Sequence, residues 1–190
     1  MLKEKRLFWS MCGPSSQYSR SRMVVDLDLP REIEWPIESG KALPRPPRTV
    51  LARVRKAPRI EDIPWCIPLI VSRKVRDIMM DIDGRYLKAY QVRLDRSVGV
   101  TYYVLHCLRV VSCQVTPKSK GRTSWGLDPV VINPSRVPKH THVFHPRALV
   151  TSLVVSDVMR NAIVQAGCTG GMFLPSQQWP LDPDWRPLSW

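Results

Sequence analysis

The chain is short of acid. Sixteen Asp and Glu stand against 29 Lys and Arg among 190 residues, for a formal net charge of +13. The few acids are scattered, so the sequence offers no evident pair of carboxylates for hydrolytic or nuclease chemistry. It also lacks long apolar runs. No stretch approaches the ~20 residues of a membrane-spanning helix. The start, MLKEKRLFWSMCG, is basic but has no apolar core of roughly 7–15 residues, as a signal peptide would. The expectation is a cytoplasmic protein with no membrane partner. No CxxC pair occurs. Cys12, Cys66, Cys107, Cys113 and Cys168 are odd in number and irregular in spacing, which argues against a disulfide framework. Cys107, inside an apolar run, reads as a small buried hydrophobe. Phosphate-loop, nucleophile-elbow and HExxH motifs are missing.

Apolar residues make up 44% of the chain, enough for a core. Its length suits one ordinary domain, or a domain with an arm. The 18 prolines cluster near the ends, which predicts extended, irregular segments there. Positive charge is dense early on. Residues 1–60 hold 13 Lys and Arg against 6 acids, and residues 45–59, RPPRTVLARVRKAPR, hold six basic residues and no acid. Such a surface attracts nucleic acid, anionic membrane or an acidic protein, or simply keeps the chain soluble.

One short pattern occurs twice. Residues 69–80 read LIVSRKVRDIMM and residues 153–164 read LVVSDVMRNAIV. An offset of 84 aligns Leu69 with Leu153, Val71 with Val155, Ser72 with Ser156 and Arg76 with Arg160. Each copy is an apolar run, a serine, and a segment of helical spacing. Val75, Ile78, Met79 and Ile82 repeat at i, i+3, i+4 and i+7, as do Met159, Ala162, Ile163 and Ala166. Serine is a favoured N-cap because its hydroxyl accepts a bond from an otherwise unpaired backbone N–H. Turn residues follow, Asp83-Gly84 in one copy and Gly167 in the other. The pattern is a scaffold of two strand–cap–helix–turn units.

The second unit and its continuation, LVVSDVMRNAIVQAGCTGGMFLP, resemble the C-terminal signature of a bacterial polymorphic-toxin immunity protein family of the myxobacterial type. The matching positions are Val155, Ser156, Ala166, Gly167, Thr169, Gly170, Phe173 and Pro175. IPLIVSRKVRDIMM, QVRL and YYVLHCLRVVSC resemble the same family, so the likeness spans roughly residues 60–178. It implies a non-enzymatic protein that binds and occludes a cognate toxin. Ser72, Ser156, Gly167, Gly170 and Phe173 would be its structural motif.

The organisation expected is α+β, a mostly antiparallel sheet carrying two serine-capped amphipathic helices, with irregular proline-rich ends. Residues 1–59 read as an irregular basic arm or edge strands, 60–178 as the folded domain and 179–190 as a Pro/Trp-rich tail. Within the arm, 23–29 alternates like a strand, 33–40 reads as an edge or turn around Trp35-Pro36, and 49–56 as an edge strand with one basic face. YLKAYQVRL (86–94) and VTYYVLHCLRVVSC (100–113) form a hairpin, the second run apolar on both faces and therefore central. Residues 114–128 read as a loop, and 128–134, 141–146 and GMFLP as short strands.

Chemistry is sparse. His140, His142 and His145 form HxHxxH, but zinc needs three or four ligands in defined geometry, and no metal or other cofactor is expected. Asp81 and Asp83 with Arg85 read as a locally paired turn, and His106 as a hydrogen-bonded core residue. One local rule is broken. Arg73 and Lys74 open the first helix, where cations oppose the helix dipole by roughly 0.3–1 kcal/mol each. Asp157 occupies the matching place in the second copy. Such inconsistency is enriched at functional sites, so Arg73 and Lys74 are the candidate partner-binding residues. The alternative reading is a small basic nucleic-acid-binding protein, in which run 45–59 would contact phosphates and tryptophans would stack on bases.

Overall fold

The computed structural model describes residues 7–12, 23–57, 59–64, 66–113, 131–147 and 153–176. The loop expected at 114–128 and the tail at 179–190 lie outside them. The fold is α+β, with three helices and two five-stranded sheets among the described residues. The first sheet runs β10-β1-β9-β8-β7, built from β1 (Phe8–Cys12), β7 (Val110–Val111), β8 (Val143–Pro146), β9 (Leu153–Ser156) and β10 (Met172–Pro175). The second runs β2-β3-β5-β6-β4, built from β2 (Val24–Asp28), β3 (Thr49–Lys56), β4 (Ile70–Ser72), β5 (Leu87–Leu94) and β6 (Tyr102–Cys107). Pairing is mostly antiparallel. The exceptions are the parallel pairs β3–β5 and β7–β8.

Both repeated units are strand-to-helix junctions. β4 runs into α2 (Arg73–Asp83), and Ser72 Oγ accepts from the Val75 N–H at 3.4 Å. β9 runs into α3 (Asp157–Gln165), and Ser156 Oγ accepts from the Met159 N–H at 3.2 Å. The helices pack on each other. Val75, Met79, Met159 and Ile163 share one core with Val71, Leu105, Val155 and Phe173. Full burial of each such side chain stabilises by about 1.5–3 kcal/mol, which is why the i, i+4 spacing reads so clearly. The equivalence extends to the neighbouring strands. Val71 pairs with Tyr103 of β6 and Val155 with Trp9 of β1. The aligned arginines cover those rings, Arg76 at 4.1 Å from the Tyr103 centroid and Arg160 at 4.4 Å from that of Trp9.

Several expectations for the N-terminal third change. Residues 33–40 are mostly helix, α1 (Arg31–Ser39), with Pro36 inside it. Proline costs a helix bond, but buried Ile37 and half-buried Ile33 anchor this one on the second sheet. Gly40 ends it at φ +67, and the Lys41 N–H returns to Pro36 O at 3.0 Å. A Cβ at Gly40 would stand 2.9 Å from Val110 Cγ2. The segment 49–56, expected at an edge, lies between β2 and β5, because Val50, Ala52 and Val54 are buried against α1. Phe8–Cys12 is likewise interior, between β9 and β10.

The run 100–113 is two strands in different sheets. Its first part, β6, is wholly buried and lies between β5 and β4. The chain then leaves the sheet at Leu108-Arg109. There Leu108 N–H donates to Tyr86 O at 2.8 Å, and Arg109 O accepts from His145 N–H at 2.8 Å. The Arg109 guanidinium donates to Asp83 Oδ2 at 2.5 Å and covers the Tyr86 ring at 4.1 Å. A charge and a ring stack thus break one apolar run into two.

Candidate functional site

The start of α2 is where the sequence breaks its own pattern. Arg73 and Lys74 are both exposed there. Arg73 N–H donates to Thr101 O at 2.9 Å, fastening the helix start to the strand leading into β6. The anion that the first turn lacks comes from Asp62. Its Oδ1 accepts from the Ser72 hydroxyl at 2.6 Å, and its backbone O accepts from Ser72 N–H at 2.7 Å. Its Oδ2 accepts from Thr169 N–H at 2.9 Å and from the Thr169 hydroxyl at 3.2 Å. One carboxylate therefore ties the start of α2 to the turn after α3. It also places negative charge where the helix dipole favours it.

The second unit's glycines make this meeting possible. Ile63 N–H donates to Thr169 O at 3.0 Å, and Gly171 N–H to Ile63 O at 2.9 Å. Gly170 sits at φ +77, and a Cβ on it would stand 2.4 Å from Ile63 O. Only glycine admits that approach. Gly167 ends the α3 turn at φ +66, its N–H donating to Val164 O at 2.8 Å. Phe173 is fully buried in the shared core. Buried Cys168 lies close by. Burial chiefly pushes its thiol up, Asp62 adds to this, and Lys74 opposes it.

Other titratable groups are engaged in holding the fold. Asp83 was expected in a local turn. Instead its Oδ2 accepts from Arg109 and from the backbone N–H groups of His142 and Val143, at 2.8 and 3.2 Å. It joins the end of α2 to β8. His106 is buried, with Nε2 2.8 Å from Lys41 O and Nδ1 3.1 Å from the Tyr90 hydroxyl. His142 Nδ1 lies 2.9 Å from the hydroxyl of the cap Ser156, whereas His140 is exposed and His145 is buried. Among the described residues, no group of three or more His, Cys, Asp or Glu is placed to hold a metal ion. No helix there is long and apolar enough to cross a membrane.

Ser72 and Thr169 thus meet at Asp62, which sequence reasoning passed over, and exposed Arg73 and Lys74 follow Ser72 directly in the chain. The only signal for Asp62 was its place in EDIPWCIP, just before the first unit. Residues 17–178, which include both units and the Gly-Gly turn behind the second, match the family model described as Immunity protein family (Imm11). The chain belongs to this immunity protein family. No curated protein matches it. The Imm11 match begins well before residue 60, in keeping with the places of β2 and β3 in the second sheet and of α1 against it.

Proposed function

We propose that this Imm11 chain is the immunity partner of a toxin protein in a bacterial polymorphic toxin system. It binds its cognate toxin in the cytoplasm of the producing cell and occludes it without turnover. The family match over residues 17–178 carries this reading. The architecture supports it, because the titratable side chains described above serve as caps, ties and packing, a rigid body suited to presenting a surface. Arg73 and Lys74 form part of that surface. They are exposed on a helix start held by Asp62, Thr101 and Thr169, so their positions are fixed before a partner arrives. A net charge of +13 favours an acidic partner face and speeds encounter with it. The test is to express the toxin-domain protein encoded by the neighbouring gene, with and without this chain. Restored growth and an equimolar complex are expected. A toxic neighbour that this chain neither binds nor neutralises would overturn the reading.

A further inference from the structure

The second sheet has two unlike faces. On one, α1 packs over Val25, Val50, Ala52, Val92 and Val104, so the sheet is closed. On the other, α2 is the crossover between the parallel strands β3 and β5, and it covers β4, β6 and only the first part of β5. Leu87, Leu105 and Cys107 are buried beneath it. Parallel pairs joined by such crossovers are usually covered on both faces. Here the remainder lies open. Leu51 is 48% exposed in the middle of β3, and Thr49, Arg53, Arg55, Gln91 and Arg93 around it are exposed as well.

Register places these side chains together. Cα partners point to the same side of a sheet, and Asp28 pairs with Leu51, which pairs with Arg93. Arg93 follows Val92, and Thr101 precedes Tyr102, the partner of Val92. Thr101 O in turn receives Arg73 N–H. One row thus crosses the open face from acid, through leucine, to arginine and on to the cationic start of α2. The next row brings Arg53 opposite Asp26, but Asp26 pairs with Arg55 at 2.5 Å. Among the described residues, Arg53 and Arg93 have no carboxylate partner. Arg76 is already committed to Tyr103 and Asp77 and forms the wall of the face.

We propose that this open face of β3 and β5, centred on Leu51, Arg53 and Arg93, is the docking surface for the toxin, and that the occupant is an acidic protein surface. The proposal rests on the immunity reading above and extends it from the helix start to a whole sheet face. Arginine suits carboxylates because its planar fork makes two parallel bonds. An apolar side chain ringed by arginines is the composition of an interface centre. A nucleic acid fits less well, because Asp26 and Asp28 line one margin and would repel phosphates.

The experiment uses the full chain and the toxin-domain protein encoded by the neighbouring gene. Arg53→Glu with Arg93→Glu should weaken binding by at least about 100-fold, as loss of close charge pairs does at other interfaces. The thermal midpoint should hardly move. Arg136→Glu with Lys139→Glu, also exposed but outside this face, should leave affinity unchanged. Should the glutamates unsettle the fold, the glutamine variants and hydrogen exchange on the parent complex give the answer, with slowed exchange expected at 49–55 and 91–93. Asp28→Lys should bind the toxin at least as tightly, because it trades an anion at the margin of the face for a cation that meets an acidic partner. If the parent binds and the Arg53/Arg93 variant binds equally, the surface assignment fails and the immunity reading stands. If the parent binds no toxin, both fail. If it instead binds duplex DNA, losing this with Arg53→Glu/Arg93→Glu and gaining it with Asp28→Lys, the face is a nucleic-acid site.

Discussion

Arg76 holds its guanidinium 4.1 Å from the centre of the Tyr103 ring. Its counterpart 84 residues later, Arg160, does the same over Trp9 at 4.4 Å. An arginine over an aromatic face is worth about 0.5–2 kcal/mol, depending on how far it is desolvated. Arg76→Ala and Arg160→Ala should each lower stability by roughly 1 kcal/mol in denaturant unfolding. Lysine at either site should recover only part of this, because it cannot lie flat on the ring.

Asp62 should matter more than a half-exposed carboxylate usually does. Asp62→Ala removes its bonds to the Ser72 hydroxyl and to Thr169, and with them an anion at the α2 start. The expected loss is about 1–3 kcal/mol. Asp62→Asn should fall between, keeping geometry but not charge. An unchanged unfolding midpoint for Asp62→Ala would contradict the role given to it.

Loss of either cap should be measurable on its own. Ser156→Ala should cost about 0.5–2 kcal/mol through the unpaired Met159 N–H, and it also strips His142 of its partner hydroxyl. Gly170→Ala should cost more, about 2–4 kcal/mol, because its Cβ would collide with Ile63 O at a positive φ. Equilibrium unfolding of the two variants should rank them in that order.

Stability should depend on pH through His106. Burial lowers its pKa below the ordinary value of 6.5, against a smaller opposing effect from Lys41 O. The folded chain then binds fewer protons than the unfolded chain, so stability rises with pH in this window. The contribution is full above about 6.5 and is lost as pH falls through the lowered folded value. A thermal midpoint falling between pH 7 and pH 5, with a shallower fall in His106→Gln, is the expected result.

Arg73→Glu with Lys74→Glu should slow association with the toxin and flatten its dependence on ionic strength. Judged by the sequence alone, the same change should steady the helix, since anions suit its N-terminus. With Asp62 already there, two further carboxylates repel it. The net change in stability should lie within about 0.5 kcal/mol. Binding kinetics and denaturant midpoints separate the two effects.

What the sequence made legible follows from periodicity. Val75/Met79 and Met159/Ile163 recur at helical spacing because that stripe fills one core, and a serine before each stripe marks the start. The hairpin of Leu87–Leu94 with Tyr102–Cys107 was equally plain. Three things were hidden. Pro36 argued against a helix whose burial of Ile37 outweighs the lost bond. Apolar residues on both sides of Arg109 masked the break there, set by partners 23 and 26 residues away, Tyr86 and Asp83. The meeting of Asp62 with Thr169 spans 107 residues and leaves no local trace. The candidate cations stood out in the sequence as two misplaced charges, while Asp62 at the same helix start and the open sheet face depend on tertiary contacts.

The position of β1 has a consequence for the order of assembly. It pairs on one side with residues 153–156 and on the other with 172–175. A chain growing from the ribosome therefore carries residues 8–12 without either neighbour until residue 153 and beyond have been made. Among the described residues, the second sheet takes all its strands from before residue 108. It can close early and act as the template, while the first sheet waits for β10. Truncated chains ending before residue 153 would expose an apolar strand with no native place to go, the kind of species that quality control removes.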